Sequence, residues 1–296
     1  MRLAAALLLA APCAALSPET GLSTKTEAEF ARIEASASAS PTARRLLAAT
    51  RGVPRREARH TGLRDPIVAR GGDKPELVFD AARLEGVTEI EAELLLMLNL
   101  ARAELAFPIP VVEAEQAAWQ KALLFAAERG AQDKAFGERL AELVRVQGAR
   151  ARSIERTALT PKTPWEPSEI PVLALPNAFL DRAGLLLHEL EADPQRFYRT
   201  LETGTAWPPG TVRLSEVEDL FALRAKELAA LTRPPEGPYA TLGGRRYPAP
   251  LVRAAFLLKG TGKVESLRES LEAYDTVGLA SARIAINRWR RAVPKK

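Results

Sequence analysis

The stretch TEIEAELLLMLNLARAELAFP, residues 88–108, decides the fold class of this chain. Thr88 and Glu91 have the spacing of a capping box, and apolar residues follow at helical spacing. Leucine and methionine also fill most of the remaining circumference between Leu94 and Leu100. A helix that is apolar on nearly all sides has to be surrounded by other elements. The stretch therefore predicts a buried central helix.

The segments next to this helix are also predicted from local patterns. Pro108 and Pro110 end the central helix, and a second helix is predicted over residues 111–129, closed by Gly130. Before the central helix, PELVFD at residues 75–80 alternates apolar and polar side chains, which is typical of a short strand. These patterns predict a strand, a buried helix and a second helix in succession.

The rest of the chain favours helices. It is rich in Ala, Leu, Arg and Glu, and only 6% of its residues are aromatic. In the second half, YATLGGRRYP places Gly243 and Gly244 between two short arms, which predicts a hairpin near residues 239–248. We expect a mainly α, multi-helical globular protein with one short strand or small β element in its first half.

The N-terminus resembles a secretory signal. A basic residue at position 2 precedes an Ala/Leu run that ends in Cys13-Ala14-Ala15, a small-residue cleavage pattern. The run is far shorter than the ~20 residues that span a bilayer, and Pro12 stands where a lipid-anchor signal would have a small residue, so an anchor is disfavoured. Cleavage after Ala15 would remove the only cysteine and with it any disulfide. We expect a secreted or periplasmic protein.

Composition changes predict the domain organisation. The signal peptide covers residues 1–15, and a flexible Ala/Ser-rich leader covers residues 16–41 because it offers little apolar surface to bury. A helical domain with the short β element follows over residues 42–160. A proline-rich linker over residues 161–175 then leads to a C-terminal helical domain, residues 176–296. No later segment is long and apolar enough to be predicted as a transmembrane span.

The histidines exclude several chemistries. His60 and His188 are the only two, and they are too far apart in sequence for a local triad or multi-histidine metal motif. The pair His188-Glu189 lacks a second histidine four residues on, where Ala192 stands. A metal-dependent hydrolase would have to use His188, Glu189 and Glu191. The alternative is an amphipathic helix with a polar edge.

A family resemblance covers residues 75–129. A strand, a buried helix and a second helix with acidic residues near its start are similar to the active-site core of zincin-type metallopeptidases, whose motif is HExxH with a downstream glutamate ligand. The resemblance places Leu98 and Arg102 at the histidine positions and Asn99 at the catalytic glutamate. Glu113 or Glu115 falls at the third ligand. An ordinary buried helix hairpin is the alternative.

The resemblance implies a relative without zinc or any other cofactor. Leu98 has no lone pair for a metal, Arg102 is permanently cationic, and Asn99 cannot take a proton from water. Asn99 and Arg102 lie about 60° apart around a helix, so they share a face. We expect the Arg102 guanidinium to take the place of the metal and to pair with Glu113 or Glu115 across the hairpin.

Two basic regions stand out against a mild net charge of +5. Arg55, Arg56 and Arg59 lie in an arginine-rich loop of the first half, and Arg288, Arg290 and Arg291 surround Trp289 in the last helix. Either region would attract anionic surfaces, but neither has a nucleic-acid-binding motif. We expect solvated surfaces, with Ile284 and Trp289 packed on the core.

These patterns favour an exported, non-catalytic scaffold or binding protein, an inactive zincin-like relative. The expected partners are an envelope component, a peptide or an anionic surface, and nucleic acid is not expected. The alternative is a secreted or periplasmic hydrolase, either metal-dependent around His188, Glu189 and Glu191 or using carboxylates as acid and base.

Overall fold

Helices form most of the chain, as the sequence predicts. The structure is a computed structural model, and it describes residues 21–58, 65–71, 74–158, 179–203, 207 and 210–294. The helices in these ranges are α1 (Thr24–Ala37), α2 (Pro41–Ala49), α3 (Ala81–Leu84), α4 (Glu89–Leu105), α5 (Val112–Gln132), α6 (Lys134–Ala158), α7 (Phe179–Ala192), α8 (Pro194–Thr203), α9 (Leu214–Ala230), α10 (Ala249–Leu258), α11 (Lys263–Ala273) and α12 (Leu279–Ala292). A π-helical turn, Tyr274–Gly278, joins α11 to α12. Across these ranges we find no helix with the length and apolarity of a membrane span.

Helix α4 is the predicted central helix. The Thr88 side chain accepts a hydrogen bond from the Glu91 amide at 3.3 Å and so caps its first turn. Every side chain from Ala92 to Ala101 is buried, because α1, α2, α5 and a small sheet surround the helix. At its C-terminus, Ala106 has a φ of 47°, the left-handed conformation that ends helices.

The small sheet of the first half has three strands in the order β1-β3-β2. Strand β3 (Glu76–Phe79) is the predicted strand, and it pairs in parallel with β1 (Arg55–Glu57) and antiparallel with β2 (Ile67–Arg70). Strands β1 and β2 come from the region that was expected to be a loop. Its arginines fit a sheet because carboxylates neutralise them, as when Arg70 contacts Glu76 at 3.0 Å.

The flexible leader predicted over residues 16–41 is wrong where the structure describes it. Helix α1 begins after Ser23 and buries Phe30, Ile33 and Ala37 on one face. The Phe30 ring packs edge-on against Phe79 of the sheet, with ring centroids 5.1 Å apart. The average composition of this segment is polar, but its apolar residues recur at helical spacing and form one stripe that packs on the core. Residues 1–20, including the predicted signal peptide, lie outside the described residues.

The two helical domains predicted over residues 42–160 and 176–296 are not separate. A larger hydrophobic core extends from Phe30 in α1 to Trp289 in α12 and includes residues of both predicted domains. Helix α7 packs against α6 and α8, and α12 packs its apolar face against α5, α6 and α7. The predicted linker, residues 161–175, lies outside the described residues.

A smaller core forms from two separated parts of the chain. It combines residues 107–117, which follow α4, with residues 212–271, which contain α9, α10 and α11. The predicted hairpin belongs to this part, as β4 (Tyr239–Leu242) and β5 (Arg245–Pro248). Its two-residue turn has φ values of 53° at Gly243 and 74° at Gly244, which favour glycine at both positions.

Candidate functional site

An ion pair joins α4 to α5 at the positions that the resemblance singles out. The Arg102 Nε donates to Glu115 Oε2 at 2.9 Å, and its Nη2 donates to Glu115 Oε1, so the contact is bidentate. The two side chains are 30% and 20% exposed. The predicted pairing of Arg102 across the helix hairpin is therefore confirmed, with Glu115 as the partner.

The electrostatics of this pair favour both charged forms. Burial by itself would raise the pKa of the Glu115 carboxyl, but the Arg102 guanidinium outweighs burial and lowers that pKa. The charge of Arg182 and a hydrogen bond of 3.1 Å from the Trp119 indole Nε1 act in the same direction. Glu115 thus accepts from two groups at once and is held as a carboxylate.

The Asn99 side chain is buried and uses its full hydrogen-bonding capacity. Its Nδ2 donates to the carbonyl oxygens of Ile67 at 2.9 Å and Leu95 at 2.8 Å. Its Oδ1 accepts from the Ala69 amide at 2.9 Å and from Arg102 Nη1 at 3.1 Å. Because β2 is an edge strand, Asn99 takes the role of a neighbouring strand there while it orients the guanidinium.

Glu113, the other predicted partner of Arg102, lies elsewhere. Its carboxylate accepts from the Leu214 amide at 2.8 Å and so binds the first residue of α9. Beside it, the Val112 amide donates to the Val212 carbonyl at 3.1 Å in an isolated parallel bridge. Burial raises the pKa of Glu113, and the Leu214 hydrogen bond opposes this only in part. Glu113 therefore joins the two separate chain segments that form the smaller core.

These residues leave little scope for metal chemistry. Leu98 is buried and apolar, and a guanidinium occupies the Glu115 oxygens. A cation could bind Glu115 only by displacing the Arg102 guanidinium, which already contacts both carboxylate oxygens. The arrangement is one of structural ion pairing.

The candidate hydrolase residues of α7 do not converge. A side-chain carbon at Gly148 of α6 would lie only 2.5 Å from His188 Cε1, so the imidazole packs directly on that glycine. Glu189 pairs with Arg196 at 2.7 Å, and Glu191 pairs with Arg290. No group of three metal-ligating side chains occurs among the residues that the structure describes. His60 lies outside them.

Acidic side chains neutralise the arginines of the first basic region that the structure describes. Arg55 pairs with Glu34 at 2.8 Å and lies 3.9 Å from the centroid of the Phe30 ring. Arg56 pairs with Glu76 at 3.2 Å. Helix α1 and strand β3 bring these acids to the arginines from other parts of the sequence. Arg59 lies outside the described residues.

The last helix differs from expectation at one apolar position. Trp289 is buried as predicted, but Ile284 is 64% exposed, and Ile286 is buried instead. At about 100° per residue, Ile286 and Trp289 share a face whereas Ile284 lies on the opposite side. Arg288 and Arg291 are exposed near Ile284.

Sequence analysis missed a second buried ion pair, between α4 and α5. Glu93 is fully buried and accepts from Arg129 Nε at 3.1 Å and from Ser36 Oγ at 2.7 Å. The signal was available, since an acid inside a helix that is buried on all sides needs a partner. The sequence did not indicate which residue this partner is, because Arg129 is distant from Glu93 in sequence.

Comparison with known proteins gives no relative for this arrangement. A scan against protein-family models, a search of curated proteins and a search of solved structures each found no match. The function has to be argued from the residues themselves.

Proposed function

We propose that this protein is an exported scaffold or binding protein without catalytic activity, built on a zincin-like core in which an ion pair replaces the metal. One observation carries the proposal: Asn99, Arg102 and Glu115 converge, and Arg102 donates to both of the others. The family resemblance places the catalytic base at Asn99, a histidine ligand of the metal at Arg102, and the third metal ligand at Glu113 or Glu115.

The chemistry of the three residues supports a non-catalytic role. A zincin needs a carboxylate base beside a metal-bound water. Here the corresponding residue is an amide whose donors and acceptor are all engaged by Ile67, Leu95, Ala69 and Arg102. A permanent cation next to Glu115 repels any metal ion.

The hydrolase alternative receives no support from the described residues. Glu189 and Glu191 each pair with an arginine, which neutralises them and holds them in place. Export is supported by the N-terminal pattern of a basic residue, an Ala/Leu run and Ala15. The partner classes that fit are an envelope component or a peptide.

Metal analysis of the purified mature protein tests the non-catalytic role. We expect zinc far below one ion per chain, together with no metal-dependent peptidase activity. One zinc ion per chain would overturn the proposal.

A designed variant tests the zincin-like geometry. The triple substitution Leu98→His, Asn99→Glu and Arg102→His restores HExxH and frees Glu115, so a zincin-like core should bind zinc in equilibrium dialysis. The matched control adds Glu115→Ala and should bind more weakly. A triple variant that keeps its helical circular dichroism but binds no more zinc than the wild type would show that the geometry is not zincin-like.

Protein sequencing of the mature N-terminus tests export. After expression in a secretion-competent bacterium, we expect the chain to begin directly after Ala15. A chain recovered from the cytoplasm with Met1 intact would contradict this part of the proposal.

A further inference from the structure

The outer face of α12 combines exposed apolar and basic side chains. Ile284, Arg288 and Arg291 fall within about 60° of one another on a helical wheel. Val277 lies in the π-helical turn just before α12. Val277 in the π-helical turn and Ile284 in α12 are 68% and 64% exposed, in contrast to the buried apolar residues on the inner face of α12. We name Val277, Ile284, Arg288 and Arg291 the α12 face.

The charges of this face are not neutralised within the described chain. Arg288 and Arg291 are exposed, and no carboxylate of the described residues pairs with them. The neighbouring Arg290, by contrast, pairs with Glu191. The sequence has no acidic residue after Asp275 and ends in two lysines.

We propose that the α12 face docks on the surface of an anionic phospholipid bilayer. Helices that lie in the interface place apolar side chains at the acyl boundary and basic ones among the headgroups. A guanidinium binds phosphate oxygens in a bidentate manner, which suits it to this position. The inference does not depend on the Arg102 site and adds a location to the proposed binding role.

The small size of the face favours a bilayer over a protein partner. A stable protein interface buries about 800 Å² on each partner, far more than four side chains in one helical stripe supply. Shallow insertion of two apolar side chains into a lipid surface has no such requirement. Nucleic acid would leave Val277 and Ile284 without a partner, since the stripe has no aromatic platform for stacking bases.

The expected binding is weak and sensitive to salt. Each basic residue near an anionic surface raises the partition coefficient between water and the membrane about fivefold. Arg288 and Arg291 together should therefore raise it about 25-fold. At about 1 M salt the screening length falls to about 3 Å, and this contribution is lost.

Co-sedimentation of the intact mature protein with lipid vesicles tests the proposal. We expect binding to vesicles of equal parts phosphatidylglycerol and phosphatidylcholine at low salt, loss of that binding at molar salt, and no binding to pure phosphatidylcholine. The double variant Arg288→Ala/Arg291→Ala should reduce partitioning about 25-fold. Ile284→Ser should weaken binding without changing its dependence on salt.

A matched variant controls for net charge. Lys226→Ala/Arg233→Ala removes the same charge from exposed positions at the end of α9 and just beyond it, and it should bind vesicles like the wild type. All substituted residues are exposed, so each variant should keep its melting temperature. Absence of vesicle binding by the wild type, or an equal loss in both double variants, would overturn the proposal.

Discussion

Removal of the Arg102 guanidinium should destabilise the fold measurably. Arg102→Ala deletes two hydrogen bonds to Glu115 and one to Asn99, and it leaves the Glu115 carboxylate partly buried without its cation. Exposed ion pairs are worth about 0–1 kcal/mol, and breaking a buried one costs about 3–5 kcal/mol. With side chains 30% and 20% exposed, the expected loss lies between these classes, at about 2–3 kcal/mol.

Urea unfolding monitored by circular dichroism measures this loss. The midpoint should fall while the slope of free energy against urea stays constant, since the same surface is exposed on unfolding. For a chain of this size each kcal/mol lowers the melting temperature by about 2–4 °C, so the expected fall is about 4–12 °C.

A double-mutant cycle isolates the pair. In Arg102→Ala/Glu115→Gln the orphaned carboxylate is also neutralised, so the double variant should be more stable than the sum of the single losses predicts, by about 1–2 kcal/mol. Arg32→Ala is the matched control, because its contacts with Glu29 and Glu89 are exposed and should be worth less than about 1 kcal/mol. The reasoning about the buried pair fails if Arg102→Ala has the melting temperature of the wild type, or if it loses no more free energy of unfolding than Arg32→Ala.

Three further substitutions probe the contacts around this pair. Asn99→Ala removes the partner of the Ala69 amide and should cost about 2–3 kcal/mol, with faster hydrogen exchange at that amide; unchanged exchange would contradict the edge-strand role. Burial raises the pKa of Glu113, so its contribution to stability falls as pH rises from the ordinary carboxyl range through the raised value. Its replacement by Gln, which keeps an acceptor oxygen, should abolish that decline and leave stability at neutral pH equal or higher, as measured by urea unfolding at acid and neutral pH. Gly148→Ala places a methyl group against the His188 ring and should cost about 1–3 kcal/mol by overpacking, visible as a lower melting temperature; a neutral effect would show that the ring moves freely.

The local sequence pattern was sufficient to predict α4, but it was not sufficient to predict which residues contact it. The apolar run from Leu94 to Leu98 lies within a longer helical pattern that begins at the Thr88 cap, and together they predict a helix buried on nearly all sides. That Arg102 would face an acid on α5 followed from the family resemblance. Which acid it meets depends on how α5 crosses α4, because Glu113 and Glu115 point about 160° apart on their helix.

The failures share a physical cause. Helix α1 was missed because its Ala/Ser composition masks a stripe of Phe30, Ile33 and Ala37. The domain boundary was misplaced because proline content reports local breaks in helices, whereas a core forms from surfaces that are distant in sequence. Ile284 was assigned to the core as an apolar residue, although its angular position opposes that of Trp289.

The path of the larger core limits how the chain can be shortened. Ala282, Ile286 and Trp289 complete a cluster that begins at Phe30, and α12 packs on α5, α6 and α7. A nascent chain therefore lacks the surface that closes its main core until α12 has been made. Translation that stops anywhere before Leu279 yields an open bundle with exposed apolar surface, a species prone to proteolysis and aggregation, rather than a smaller version of the fold.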